Sequence, residues 1–314
     1  MTENREASLK RELLRVSEQF GIQLNKRKGQ CILIDNNIAK FMVDKLGLIA
    51  DSDSVLEIGP GFGVLTEKLL PRAKKVMAIE MDPKFCDYLG EKFKNAANFE
   101  LIRGDAIKEQ FPNHTMLISN VPYQISGPLI EKIALHNVNQ NANQSINWNV
   151  NPTTLVPYPR RIILMLQNEF IEKMTSIPHA KTYGRLSVLS QLFFTITKLK
   201  KVPPSVFYPE PAVDSGIVEL VPNVDIIQKL GSGMETSHFL EFLSGIFPYK
   251  NKTVNNALHL FLGHLQSNPS NYSPEFLNKL TPYIQNTTSF KIMDPTKRLW
   301  QLFPKDILEL FLKI

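Results

Sequence analysis

The chain of 314 residues is poor in the residue types that cross-link small proteins or hold metals. It has two cysteines, Cys31 and Cys86, and no C-x-x-C pair. That excludes a disulfide scaffold and a cysteine-rich zinc site and suits a reducing compartment. The six histidines are scattered, and His259 and His264 stand five apart, off the i, i+4 spacing that sets two ligands on one helix face. No metal is expected. No window approaches about 18 uncharged apolar residues, so no membrane-spanning helix and no membrane partner are expected. The opening MTENREASLKRELLRVSEQF mixes acids and bases without an apolar core, unlike a signal peptide. A cytoplasmic location is the expectation.

What remains is ample for a globular fold. Apolar residues make up 43% of the chain, and its length suits one large domain plus a smaller one. Thirty-six basic against 30 acidic residues give a net charge of +6, a mild pull toward a polyanionic partner. The opening segment presents Leu9, Leu13, Val16 and Phe20 at helical spacing, so residues 1–27 read as a helical extension. From about residue 55, short β-rich runs alternate with helical stretches: VLEIG (55–59), VMAIE (76–80), FELIRGD (99–105), MLISN (116–120), RIILMLQ (161–167), a run near 197–202 and GIVELV (216–221). Asp82 is a candidate N-cap with Pro83 behind it at the first helical position. Continuous apolar strands separated by helices imply an α/β fold, a mostly parallel seven-stranded sheet covered on both faces. After Pro222 the period turns helical, so 28–222 reads as the catalytic domain and 223–314 as a small all-helical domain. Within 28–222, NVNQNANQSINWNVN (137–151) holds nine Asn or Gln in fifteen residues and reads as a surface insert loop.

Three features carry chemistry. Gly59-Pro60-Gly61-Phe62-Gly63 lies where the first strand turns into a helix, with the G-x-G-x-G spacing rather than the dinucleotide fingerprint. Glycines there let a ligand lie against the backbone. Glu80 closes the second strand, where a carboxylate can accept both ribose hydroxyls, and Asp105 closes the third, where it can accept from an adenine amine. Each alone is more often a solvated loop acid. Together they favour an adenosine pocket, though NAD or ATP would satisfy them too. The fourth strand ends in Asn120-Val121-Pro122-Tyr123. Pro122 lacks a donor, Asn120 offers an amide, and Tyr123 offers a face for stacking a base. These suit methylation of a planar amine, whose delocalised lone pair needs acceptors that draw the nitrogen toward tetrahedral geometry.

The chain resembles the small-subunit rRNA adenine N6,N6-dimethyltransferases, the bacterial kasugamycin-resistance enzyme and its archaeal and eukaryotic counterparts, and most of all an archaeal-type member. The matching stretches are KGQCILID (28–35), VLEIGPGFGVLT (55–66), AIEMD (78–82), GDA (104–106), SNVPYQIS (119–126), LMLQNEF (164–170), YGRLSV (183–188), FYPEPAVDS (207–215) and FPYKNKTVNNAL (247–258). The resemblance implies a Rossmann-like class I methyltransferase fold using S-adenosyl-L-methionine, acting on small-subunit rRNA in the immature small ribosomal subunit, as a monomer. It implies dimethylation of two adjacent adenosines near the 3′ end of that rRNA and a part in subunit biogenesis. It makes Gly59, Gly61, Glu80, Asp105 and Asn120 cofactor contacts and adds Cys31 and Leu33 from a segment closing over the cofactor. Asn120, Pro122 and Tyr123 would hold the target adenine, with Phe207 stacked on its other side. Cys31 departs from the Asn or His usual in the family, Val121 replaces the commoner Leu, and the Asn-rich stretch is longer than usual.

Basic clusters include Lys26-Arg27-Lys28, Lys250-Lys252 and Lys297-Arg298. Lys28, Arg185, Lys250 and Lys252 are the candidate RNA contacts and 223–314 is the candidate rRNA-binding domain, although any single charge run is more often a solvated face than a contact. Three other readings stand beside this one. They are a large-subunit rRNA adenine N6-methyltransferase, a non-catalytic RNA-binding assembly or transcription factor derived from the family, and a DNA adenine methyltransferase.

Overall fold

The computed structural model describes residues 2–22, 24, 31–143, 159–285 and 296–313, excepting the side chains of 2–9, 139–143, 284 and 285. In chain order the elements are α1 (Thr2–Phe20), β1 (Ile32–Leu33), α2 (Asn36–Leu46), β2 (Ser54–Ile58), α3 (Thr66–Leu69), β3 (Lys75–Glu80), α4 (Pro83–Lys92), β4 (Phe99–Arg103) and β5 (Met116–Asn120). They continue as α5 (Ser126–Asn143), β6 (Arg161–Gln167), α6 (Asn168–Met174), α7 (Arg185–Phe193), β7 (Phe194–Val202), β8 (Phe207–Tyr208) and β9 (Ser215–Pro222). The C-terminal helices are α8 (Val224–Leu230), α9 (Gly233–Ile246), α10 (Val254–Ser267), α11 (Pro274–Gln285) and α12 (Pro304–Leu312).

Seven strands form one sheet in the order β4-β3-β2-β5-β6-β9-β7, and all seven sequence-read runs are in it. β2 pairs in parallel with both β3 and β5, β4 and β6 extend the parallel set, and β9 runs antiparallel to β6. The strands are apolar because both faces are covered: Val55, Leu56, Val76, Leu117, Ile118 and Ile163 are fully buried. The order reverses at β2, whose neighbours are the next strand in sequence on one side and β5 on the other. Such a switch point opens a crevice beyond the carboxyl ends of the two diverging strands. Here those ends carry the glycine turn and the Asn-Val-Pro-Tyr segment.

Helix starts follow local chemistry. Asp82 caps α4 by accepting from the Lys84 N–H at 2.9 Å, with Pro83 in the first turn, as its position predicts. Asp35 caps α2 through the N–H groups of Asn37 and Ile38 at 2.6 and 3.1 Å. In α1, Leu13 and Val16 are buried, and the Phe20 ring meets Tyr88 edge-on at 5.4 Å.

The chain divides into two compact units, 1–171 with 195–222, and 172–194 with 223–314. The sequence reading assigned 28–222 to one catalytic domain, but 172–194 packs with the C-terminal helices. The Tyr183 hydroxyl, for instance, donates to the Leu302 carbonyl at 2.8 Å. Inside the helical unit the core is aromatic, with Phe239, Phe242, Phe261, Phe276 and Phe311 buried. A second correction concerns the Asn-rich stretch. Residues 137–143 are not loop but the last turns of α5, with Asn137 and Val138 fully buried; 144–151 lie outside the described residues. Composition marked those residues as polar, but the apolar face of the preceding turns carries the helix onward.

Candidate active site

β2 delivers the chain into the glycine turn. Gly59 has φ of +65°, a conformation that only glycine adopts readily, and its N–H donates to the Ile79 carbonyl at 2.9 Å. A Cβ at Gly59 would stand 3.7 Å from Cδ of Pro122, so the turn and the tetrapeptide after β5 lie side by side. Ser119 locks the same edge, its hydroxyl donating to the Ile58 carbonyl at 2.7 Å.

Glu80 ends β3 beneath the turn, 8% exposed. Its Oε2 accepts from the Gly61 N–H at 3.2 Å and its Oε1 from the Asp82 N–H at 2.9 Å. Burial pushes its carboxyl up, and those backbone N–H groups partly offset the shift. Asp105 lies beyond the end of β4, where Oδ1 accepts from the Ile107 N–H at 2.9 Å. The Gly104 N–H reaches the Glu80 carbonyl at 2.8 Å, so the loop carrying Asp105 is pinned to the end of β3.

Asn120 ends β5, and its Nδ2 donates to the Cys31 carbonyl at 3.2 Å. Cys31 therefore meets the site through its backbone. Pro122 follows with φ of −56°, and Tyr123 opens a short turn in which its hydroxyl bonds Ser215 Oγ at 2.8 Å. Burial raises the Tyr123 phenol, so it stays neutral and serves as a flat hydrogen-bonded ring.

Leu33 and Phe207 face each other across a two-residue antiparallel ladder, β1 with β8, and are 3% and 2% exposed. The open stacking face implied for Phe207 is absent: the ring is closed into the core cluster with Leu33, Leu13 and Val16. Lys250 and Lys252 lie in the helical unit, where Lys252 is exposed and Lys250 Nζ donates to the Tyr183 carbonyl at 2.7 Å. Arg185, half-buried at the start of α7, belongs to the same unit, and Lys28 lies outside the described residues.

Two contributors escaped the sequence reading. Glu57, 1% exposed, accepts the Thr66 hydroxyl at 2.6 Å and so clamps the far side of the glycine turn. Burial pushes its carboxyl up to about 7, although the Thr66 bond pulls the other way. An acid inside an otherwise apolar strand was the available signal. Met81 is 67% exposed directly after Glu80, a bare apolar surface beside a buried carboxylate. Among the described residues, no group of three or more His, Cys, Asp or Glu gathers to hold a metal, and no helix is long and apolar enough to cross a membrane.

Residues 21–282 match the family model described as ribosomal RNA adenine dimethylase. A ribosomal RNA small subunit methyltransferase A of Thermotoga petrophila is 36% identical over 246 residues, 78% of this chain and 84% of that protein. A probable ribosomal RNA small subunit methyltransferase A of the archaeon Methanosarcina acetivorans is 36% identical over 211 residues, 67% of this chain and 69% of its own length. Among solved structures, a dimethyladenosine transferase from Plasmodium falciparum matches with a TM-score of 0.64 at 29% identity, covering 88% of this chain and 94% of that one. The 23S rRNA methyltransferase ErmE, at 20% identity and a TM-score of 0.55, shares the fold over 89% of this chain and 97% of its own. With 21–282 matched and relatives above 30% identity over two thirds or more of their length, the chain belongs to the ribosomal RNA adenine dimethylase family.

Proposed function

We propose that this protein uses S-adenosyl-L-methionine to dimethylate N6 of two adjacent adenosines near the 3′ end of small-subunit rRNA, within an immature small subunit whose biogenesis it serves. The observation that carries the reading is the adjacency of Gly59 and Pro122, which sets a nucleoside-binding turn against an amine-holding tetrapeptide.

The residues present fit the cofactor. A Cβ on Gly61 would stand 3.3 Å from Ile32 Cδ1, so the glycine keeps open a cradle between the turn and the 31–34 segment. Glu80 is held by two backbone donors with lone pairs left for ribose hydroxyls. Met81 gives an adenine ring an apolar face, and Asp105 takes its amine. The bound cofactor supplies a methyl group on a sulfonium, whose sulfur is a good leaving group.

The rest is positioning by this chain. Because Nδ2 of Asn120 is spent on the Cys31 carbonyl, Oδ1 is the atom turned to accept from the adenine amine. Pro122 offers no N–H to compete. Tyr123, steadied by Ser215, supplies the stacking face, while Phe207 closes the ladder rather than stacking. The proton lost after transfer passes to water, and no side chain is assigned as general base. Replacing Asn120 with Ala removes the amine acceptor while leaving the RNA-binding surface intact. Methyl transfer to stripped small subunits is expected to fall by at least about a hundredfold with RNA affinity unchanged. Unchanged turnover would refute the role of the tetrapeptide.

A further inference from the structure

The loop that follows β4 closes on itself. The Asp105 carbonyl accepts from the N–H groups of Lys108 and Glu109, each at 2.8 Å, and Asp105 Oδ1 accepts from the Ile107 N–H at 2.9 Å. A turn of this kind ends on backbone carbonyls that have no partner within it and need donors from elsewhere. Here one side chain of α5 supplies them. Lys132 Nζ donates to the Ile107 carbonyl at 2.9 Å and to the Glu109 carbonyl. The same ammonium stands 4.6 Å from the centroid of the buried Phe111 ring, just beyond the loop. His136, one turn further along α5, meets that ring edge-on at 5.3 Å. Lys132 is half-buried. Burial pushes its ammonium down, while the charges of Asp105 and Glu109 pull the other way.

We infer that Lys132 is a positioning residue that sets the base specificity of the cofactor pocket by fixing the Asp105 carboxylate. Oδ1 of Asp105 is held by its own loop, and Oδ2 takes no hydrogen bond among the described residues, which leaves it for a donor from outside. The aim of that oxygen follows the loop, and the loop is held at two carbonyls by Lys132. A fixed anionic oxygen accepts from the amine of adenine and repels the carbonyl that replaces it in hypoxanthine. Were the loop free to shift, the carboxylate could turn away from that carbonyl and the discrimination would be lost. The support is rigid because α5 starts directly behind the Asn120–Tyr123 segment, with nearly two turns between Ser126 and Lys132. One helix therefore holds the amine-holding segment at its start and the cofactor loop from its side. The inference rests on the reading of Asp105 given above and adds what makes that residue selective.

The test titrates the full chain calorimetrically with S-adenosylhomocysteine and with S-inosylhomocysteine, which carries a carbonyl where the amine stands. Wild type is expected to prefer the adenine compound roughly tenfold or more, the worth of one hydrogen bond to a charged acceptor. Lys132→Met keeps an unbranched stem against Phe111 and removes the charge and the donors. It is expected to weaken S-adenosylhomocysteine binding roughly fivefold or more and to cut the preference to about threefold or less. Lys132→Arg, which keeps both charge and donors, should retain most of the preference. A lysine that only stabilised the fold would weaken both compounds alike. An unchanged preference in Lys132→Met, or an equal loss of preference in the Met and Arg variants, would therefore overturn the inference. Asp105→Ala separates the two claims. Preference lost in Asp105→Ala but kept in Lys132→Met sinks only the role of Lys132. No preference in wild type, or one that survives Asp105→Ala, sinks the assignment of Asp105 on which that role rests.

Discussion

Replacing Glu80 with Gln keeps the shape of the side chain and removes its charge at a site where both oxygens are in use. The carboxylate accepts from Gly61 N–H at 3.2 Å and Asp82 N–H at 2.9 Å and is 8% exposed. A glutamine has one acceptor oxygen and one donor amide, so one of those N–H groups would face another donor. Hydrogen bonds to a charged group are worth about 1.5–3 kcal/mol each. One such loss falls on the glycine turn and lowers folding stability; another falls on the ribose hydroxyls and lowers cofactor affinity. The second loss alone raises the Kd for S-adenosyl-L-methionine roughly tenfold to a hundredfold. Because the ribose is held equally before and during transfer, kcat at saturating cofactor should stay within a few-fold of wild type. Calorimetric titration with the cofactor, paired with steady-state methylation, reads both quantities. A variant with normal cofactor affinity and reduced kcat would refute the assignment of Glu80 to the ribose.

Gly63→Ala should destabilise the first unit by roughly 1–3 kcal/mol, because φ is +74° and the new Cβ would stand 2.7 Å from the Phe93 ring. Urea unfolding checks it, and a stability equal to wild type contradicts the packing described. His114 and His136 stack at 5.2 Å, and burial pushes them down to about 4 and about 3. Their folded pKa values are depressed, so the stability they contribute is complete above the unfolded value near 6.5 and is lost as pH falls toward 4. For His114, 7% exposed, that loss is about 3 kcal/mol. Glu57, held up near 7, titrates with the opposite sign over part of the range. The readout is therefore the difference between wild type and His114→Phe, which should lose less stability between pH 6.5 and 4; parallel curves would contradict the account.

The sheet was legible because seven strands buried on both faces leave continuous apolar runs, and Asp82 with Pro83 marked the start of α4 by cap chemistry alone. Gly59, Glu80 and Asn120 were legible because strand-end residues recur at readable spacing. Strand order was not, since nothing local says that β9 enters between β6 and β7. The β1–β8 ladder is two residues long on each side, below any detectable alternation, and with it went the burial of Phe207. Segment 172–194 joins the helical unit through contacts such as Tyr183 to Leu302, which lie 119 residues apart. Glu57 was visible as an acid in a strand, but its partner Thr66 depends on how the turn folds back.

In the proposed function, Gly59, Glu80, Asn120 and Tyr123 together serve adenine N6 dimethylation in small-subunit rRNA. Its most direct test incubates the protein and S-adenosyl-L-methionine with stripped small and large subunits separately, then maps N6,N6-dimethyladenosine by mass spectrometry. Two adjacent dimethylated adenosines near the 3′ end of the small-subunit rRNA are expected, absent with Asn120→Ala. Modification confined to the large subunit would contradict it.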